Sequence, residues 1–391
     1  MKTILYVVHR GGGGTVLTAK DLARSVRGYR VFLWAADQVE VRVQEFLDGA
    51  PIGGEQVTLL SDEGGHEYPK NPHIIALFEA FLESENIDLV HFRHLARQPL
   101  KLAQVVEKLG IPFVVSFHDF YYLCPSVHLV DADGQFCGGS CTMGKKDCTS
   151  RMGVQPSVRL RGDWVYRWRE ITSHVLSKAA GFVTTSPSVW AIYAKNMPIL
   201  DGKKHWIIEH GRSIPRTPPG DLPPSHPPRD VVILGNIGRD KGLDLINALV
   251  RHYDSKLEFH LFGKIGGRFD GIHHGEFERD EIFPTVSEIK PAVGLIPPSM
   301  FETYSHVLTE FWALGIPVIA TRLGALHERI ASHGGGLLAE IQSVDSFIIQ
   351  LDRITSDLEL FWRLSREASE APIRTLESMA RDYQRVYEEL L

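Results

Sequence analysis

Glu302 and Glu310 stand with seven residues between them inside the segment PPSMFETYSHVLTE, residues 297–310. Ser305 is placed to cap a helix, because its hydroxyl can accept from the unpaired N–H groups that open one. The apolar stripe Val307, Leu308, Phe311 and Leu314 reads as that helix's buried face, and Gly315 as its end. Glu310 then lies beside the helix and Glu302 in the loop at its start. The backbone N–H groups of Tyr304, Ser305 and His306 would face an anion there. Carboxylates accept from hydroxyls and repel phosphates, so the pattern suits a ligand that carries both kinds of group. The plain alternative is an amphipathic helix with solvated glutamates.

Two glycine-bearing loops extend this chemistry. An apolar run at residues 231–234 leads into Gly235-Asn236-Ile237-Gly238-Arg239-Asp240-Lys241-Gly242. Arg239 and Lys241, just ahead of a helix start, make a cradle for a diphosphate that needs no metal. Near the N-terminus, residues 3–8 run into Gly11, Gly12, Gly13 and Gly14, where the backbone can approach a ligand closely. The dinucleotide fingerprint fails there, since Val16 occupies the third glycine position, although Asp37 lies at about the spacing of a ribose-binding acid. His118 follows the apolar run 112–117 and is either a site imidazole or a satisfied core one. Cys124, Cys137, Cys141 and Cys148 fall within 25 residues. Four thiolates could close a tetrahedral structural zinc site, with free thiols and disulfides as the alternatives.

These residues need a scaffold, and the chain is long enough for two domains at 391 residues. Residues 215–230 carry seven prolines in sixteen positions, a stiff extended linker. On either side, short apolar runs alternate with helical periodicity, as in parallel, doubly wound sheets. The expected fold class is therefore α/β, with two Rossmann-like domains facing a cleft. The first covers residues 1–214, with a Cys-rich insertion at 124–148, and the second covers 231–372.

Composition excludes several classes. A net charge of −6 argues against global capture of nucleic acid. No run approaches the roughly 18 apolar residues of a membrane-spanning helix. The six apolar-type residues before His9 and Arg10 do not make a signal peptide, which leads to a cytoplasmic expectation. Residues 145–170 hold seven Lys/Arg against three Asp/Glu, interleaved with Trp164, Tyr166 and Trp168. That mix suits the headgroups of an anionic membrane, although some of these rings could equally lie in the core.

At Glu302 and Glu310, with Gly315-Ile316-Pro317-Val318-Ile319-Ala320-Thr321 and Gly324 following, the chain resembles glycosyltransferase family 4. Other stretches agree in the family's order: the Gly11 loop, Phe117-His118-Asp119-Phe120-Tyr121, Thr184-Thr185-Ser186, Glu209-His210-Gly211 and Lys241-Gly242-Leu243. The C-terminal helix, residues 373–391 with Tyr383 and Tyr387, resembles the family's last helix, which returns to the first domain. The resemblance implies a GT-B fold, a nucleotide-diphosphate-sugar donor, and transfer with retention to a glycan or lipid-linked acceptor. It implies no metal or other cofactor for catalysis, and a place in cell-surface polysaccharide or glycoconjugate synthesis on the inner face of the membrane. By motif match, Glu302 contacts the donor sugar, Glu310 holds the ribose hydroxyls, Lys241 neutralises the diphosphate and His118 lies near the sugar. Two positions depart from the family: its usual Arg is Asn236 here, with Arg239 as the candidate substitute, and a usual Gly is Ser305. Competing readings are a non-catalytic sugar-nucleotide or glycan-binding subunit, an epimerase or phosphorylase on the same architecture, and a nicotinamide-dependent dehydrogenase.

Overall fold

The computed structural model describes residues 1–11, 13–37, 39–60, 71–124, 126–131, 135–141, 164–217, 226–277, 281–289 and 292–391. The chain forms two compact units. The first comprises Met1–Asp133, Cys137–Arg212 and Arg374–Leu391; the second comprises Ser213–Ile373 with a short piece that includes Phe136.

The first unit is built on β1 (Lys2–His9), β2 (Tyr29–Ala36), β3 (Glu40–Leu47), β4 (Ala50–Leu59), β5 (Leu89–Phe92), β6 (Phe113–Phe117), β7 (Gly181–Thr184) and β8 (His205–Ile207). They make one sheet in the order β4-β3-β2-β1-β5-β6-β7-β8. Its helices are α1 (Gly14–Ser25), α2 (Pro72–Ser84), α3 (Leu102–Lys108), α4 (Trp164–Ser177) and α5 (Pro187–Asn196). The run Ile4 to Val8 is wholly buried, which a strand covered on both faces requires. Most of the sheet is parallel, but β3 and β4 pair antiparallel at its edge. The sequence reading did not anticipate that hairpin.

The second unit contains β9 (Asp230–Leu234), β10 (Glu258–Phe262), β11 (Ile272–Gly275), β12 (Ala292–Ile296), β13 (Val318–Thr321) and β14 (Gly336–Ala339). Every pairing in this sheet is parallel, in the order β11-β10-β9-β12-β13-β14. Its helices are α6 (Leu243–Tyr253), α7 (Ile282–Ser287), α8 (His306–Ala313), α9 (Gly324–His333), α10 (Val344–Ser356) and α11 (Leu358–Glu370). Strand alternation sends Val232 and Leu234 to a core with Phe311 and Trp312, and Val231 and Ile233 to a second core with Ile246 and Phe347.

The last helix, α12 (Leu376–Leu390), belongs to the first unit. Thr375 caps it by accepting from Ser378 N–H, and Met379, Tyr383, Val386 and Tyr387 enter the core with α1 and β1. The Tyr387 hydroxyl lies 2.9 Å from His91 Nδ1 and 3.0 Å from the Tyr6 hydroxyl. Arg93, completely buried, donates to the Tyr383 hydroxyl at 2.7 Å. Burying these polar groups without partners would be costly, so the network fixes where α12 docks.

Among the described residues no helix is long and apolar enough to cross a membrane. Most of the basic, aromatic stretch lies outside the described residues. Within α4, Trp168 is buried and donates from Nε1 to the Tyr121 carbonyl at 2.7 Å, while Tyr166 is exposed. Trp168 is a core residue.

Candidate functional site

In an open parallel sheet, ligands bind beyond the carboxyl ends of the strands where the chain reverses its direction of winding. In the second unit that point lies between β9 and β12, since β10 flanks β9 on its other side. Lys241 follows β9 and Glu302 follows β12, and the two side chains form an ion pair. Both are part-buried, so the pair is sheltered enough to be more than a solvated surface contact.

The two loops that deliver this pair are tied together. Ser299 donates from its N–H (3.0 Å) and its hydroxyl (3.2 Å) to the carbonyl of Asp240. Gly242 has φ 86°, and a Cβ there would strike the Pro297 carbonyl, so the close approach requires glycine. Ser305 caps α8 by accepting from Leu308 N–H at 3.3 Å. It does so at φ 66°, in the left-handed region that glycine favours.

Arg329 of α9 was not singled out from sequence, and it organises this loop. Its buried guanidinium donates to the carbonyls of Tyr304 and Ser305, both at 3.0 Å, and to the Thr309 hydroxyl at 2.9 Å. It also lies 4.4 Å above the Tyr304 ring and 4.9 Å from that of Trp312. A planar fork that binds successive carbonyls and stacks on aromatics is a role lysine cannot fill. In sequence it is one arginine on a helix, with nothing to separate it from a solvated one.

The other predicted residues of this unit are spread unevenly. Glu310 is buried on α8, and the rings of Tyr304 and His306 meet edge-on at 5.1 Å. Arg239 is 75% exposed and leans towards Asp244 at 3.7 Å, apart from the Lys241–Glu302 pair.

The first unit has its own switch point, between β1 and β5. Gly13, at φ 114°, stands at the N-terminus of α1, and Gly14 is its first residue. Gly12 lies outside the described residues. His9 accepts from Gly11 N–H through Nδ1 at 3.0 Å, and its ring meets His94 edge-on at 5.0 Å. Burial first, then the nearby His94, pulls the His9 pKa down to about 3. His94 Nδ1 accepts from Ala96 N–H at 2.9 Å, so the Nε2 proton is the one that faces Asp119 Oδ2 at 2.8 Å. His118, one residue past β6, stacks on His210 at 5.3 Å. Burial, with Arg93 and the neighbouring histidines adding repulsion, holds His118 well below the usual imidazole range. It is therefore a neutral ring at neutral pH.

Asp37 is already engaged as a turn former. It accepts from the N–H groups of Val39 (2.8 Å) and Glu40 (3.0 Å) and pairs with Arg10 at 2.9 Å. Of the four cysteines, Cys148 lies outside the described residues. Cys124 Sγ sits 3.2 Å from the Ser126 hydroxyl, and Arg169 donates to Cys141 Sγ at 3.7 Å. Among the described residues Cys124, Cys137 and Cys141 do not converge as a ligand group.

No protein-family model matches the chain, and no curated protein matches it by sequence. Its fold is GT-B, shared with solved glycosyltransferases. The sucrose-phosphate synthase of Thermosynechococcus elongatus matches with a TM-score of 0.68 at 16% identity, covering 100% of this chain and 99% of that one. HepE of Anabaena, solved with UDP-glucose, matches with a TM-score of 0.68 at 13% identity over 100% of both chains. A glycosyltransferase from Rickettsia africae matches with a TM-score of 0.63 at 17% identity, over 100% of this chain and 98% of that one.

Proposed function

We propose that the protein is a retaining glycosyltransferase that moves a hexose-type sugar from a nucleotide diphosphate to a hydroxyl of a glycan or lipid-linked acceptor. The Lys241–Glu302 pair at the switch point of the second sheet carries this reading. The GT-B fold and neighbours such as HepE, solved with UDP-glucose, support it.

In this scheme Glu302 neutralises Lys241 until the donor arrives. The diphosphate then takes the ammonium and the N–H groups at the start of α8, which frees Glu302 to accept from sugar hydroxyls. Glu310 accepts from the ribose hydroxyls. As the bond from the anomeric carbon to the phosphate oxygen breaks, charge grows on the diphosphate and Lys241 stabilises it, so the step needs no divalent metal. The acceptor oxygen attacks from the departing face and its proton passes to a diphosphate oxygen. His118, neutral at working pH, offers the sugar a hydrogen bond without adding charge. The setting we propose is cell-surface glycoconjugate synthesis at the inner face of the membrane.

The experiment pairs donor screening with point variants. One of UDP, GDP, ADP or dTDP raises the melting temperature, and the matching sugar nucleotide is turned over with an acceptor. Lys241→Ala lowers kcat by about 10²- to 10³-fold, the size seen when a charge-stabilising group is removed. Glu302→Gln keeps nucleoside diphosphate binding and loses transfer. A donor that binds and is never consumed, with any acceptor or with water, would instead establish the non-catalytic binding subunit.

A further inference from the structure

Asp230, Glu258 and His260 gather at the opposite ends of the second unit's strands from Lys241 and Glu302. Register alone explains the grouping. Glu258 of β10 is the direct partner of Asp230 of β9, and His260, two residues on, projects from the same face as Glu258. His260 Nε2 lies 3.0 Å from Asp230 Oδ1 and 3.9 Å from Glu258 Oε2, and one ligand atom from each residue falls within 4.8 Å of the others.

Two further features point to a cation. Among the described residues neither carboxylate pairs with a lysine or arginine, and the His260 imidazole is the group facing both. The imidazole is also held from behind, because its Nδ1 lies 3.0 Å from Nε2 of His274 on the edge strand β11. His274 is itself stacked flat on Phe262 at 4.2 Å. A register shift in the β10–β11 pairing, between Leu261 and Phe262, accompanies this placement. A metal-binding histidine characteristically bonds its metal through one nitrogen while a second group fixes the other, and His274 occupies that second position. A carboxylate can only accept, so Nε2–H donates to Asp230 and Nδ1 accepts from His274; an ion takes the place of that Nε2 proton, with Nδ1–H then donating to His274.

We propose that Asp230, Glu258 and His260 form a binding site for a divalent first-row transition-metal ion, separate from the sugar-transfer chemistry. One nitrogen and two carboxylates suit zinc or manganese; calcium and magnesium favour oxygen alone. Glu258 is 63% exposed, which leaves the outer coordination positions to water. An ion here ties the start of β10 to that of β9, and so acts on the stability of the unit.

The test is a thermal-shift titration of the full chain with Zn2+, with Mg2+ as control, on wild type, Glu258→Gln and Asp230→Asn. Glu258→Gln changes one exposed side chain and preserves the fold. Zinc raises the wild-type melting temperature, its apparent affinity falls tenfold or more in each variant, and equal Mg2+ produces no shift. No zinc response in wild type, or the same response in all three proteins, overturns the proposal; the second result would place the zinc elsewhere, as on the cysteines. A magnesium response equal to that of zinc overturns the assignment to a transition metal. Nucleoside diphosphate binding, measured on the same variants, stays at the wild-type level, so this outcome is read independently of the transferase assignment.

Discussion

Ser305 holds two opposing terms in one residue. Its hydroxyl caps α8, and its backbone sits at φ 66°, where a Cβ is unfavourable. Replacing the cap by alanine costs about 1 kcal/mol and leaves the strain in place. Glycine loses the same hydroxyl but relieves a left-handed strain of about 1–2 kcal/mol, offset in part by about 0.4–1 kcal/mol of added unfolded-state entropy, and is itself an acceptable cap. Ser305→Ala should therefore lower the urea midpoint clearly and Ser305→Gly hardly at all; equal losses would show that the backbone conformation carries no strain. The same contrast explains how a serine is tolerated at a left-handed position. Lys241, Glu302 and Ser305 could be singled out from local sequence, because loop chemistry and helix capping are local, and the structure pairs the first two and makes the third a cap. Arg329 could not, since its partners Tyr304, Ser305 and Thr309 lie some twenty residues away and meet it only when α9 packs beside α8.

Among elements, the buried parallel strands were the easiest to recognise, because a strand covered on both faces is an unbroken apolar run. The β3–β4 hairpin follows the opposite logic. Every residue of β4 is exposed, so no apolar pattern marks it. Its one strong signal was Asp48-Gly49 between the strands, with φ of 51° and 82°, a two-residue turn whose handedness matches strand twist. Gly49 is constrained twice: by that φ, and by the Arg24 carbonyl and Arg27 guanidinium that a Cβ would strike. Gly49→Ala should cost about 1–3 kcal/mol through the turn and the clash together. Asp48→Asn should be close to neutral, because asparagine accepts the left-handed conformation and keeps the oxygen that receives Gly28 N–H at 2.8 Å. Melting temperatures of the two variants separate these outcomes. A Gly49→Ala protein as stable as wild type would mean that the hairpin is free to detach from β2.

Over the whole molecule, the buried titratable groups set the pH range of stability. His9, His91 and His118 are all shifted downwards, each by burial first. A histidine with a depressed folded pKa stays neutral in the native state while the unfolded chain takes up a proton below about pH 6.5. Protonation therefore pulls towards the unfolded state, and stability present above that pH is lost as the pH falls. Each such group removes about 1.4 kcal/mol per pH unit once the unfolded chain is protonated, and for His9 the loss continues to a pH of about 3. At the alkaline end, Tyr6, Tyr193 and Tyr387 are raised by the same burial, so the unfolded chain ionises first and stability falls above about pH 10. Urea midpoints should accordingly form a plateau between neutrality and pH 9, then drop steeply from pH 6 to pH 5 while the m-value stays constant. All three histidines lie in the first unit, on strands or loops that share one sheet. His118→Gln should then reduce the acid slope by about one proton's worth without moving the alkaline limb. A midpoint that stays level down to pH 4.5 would mean that these imidazoles reach water in the native state. In that case His118 would be charged below neutrality, and the neutral hydrogen bond proposed for it would become that of a cation.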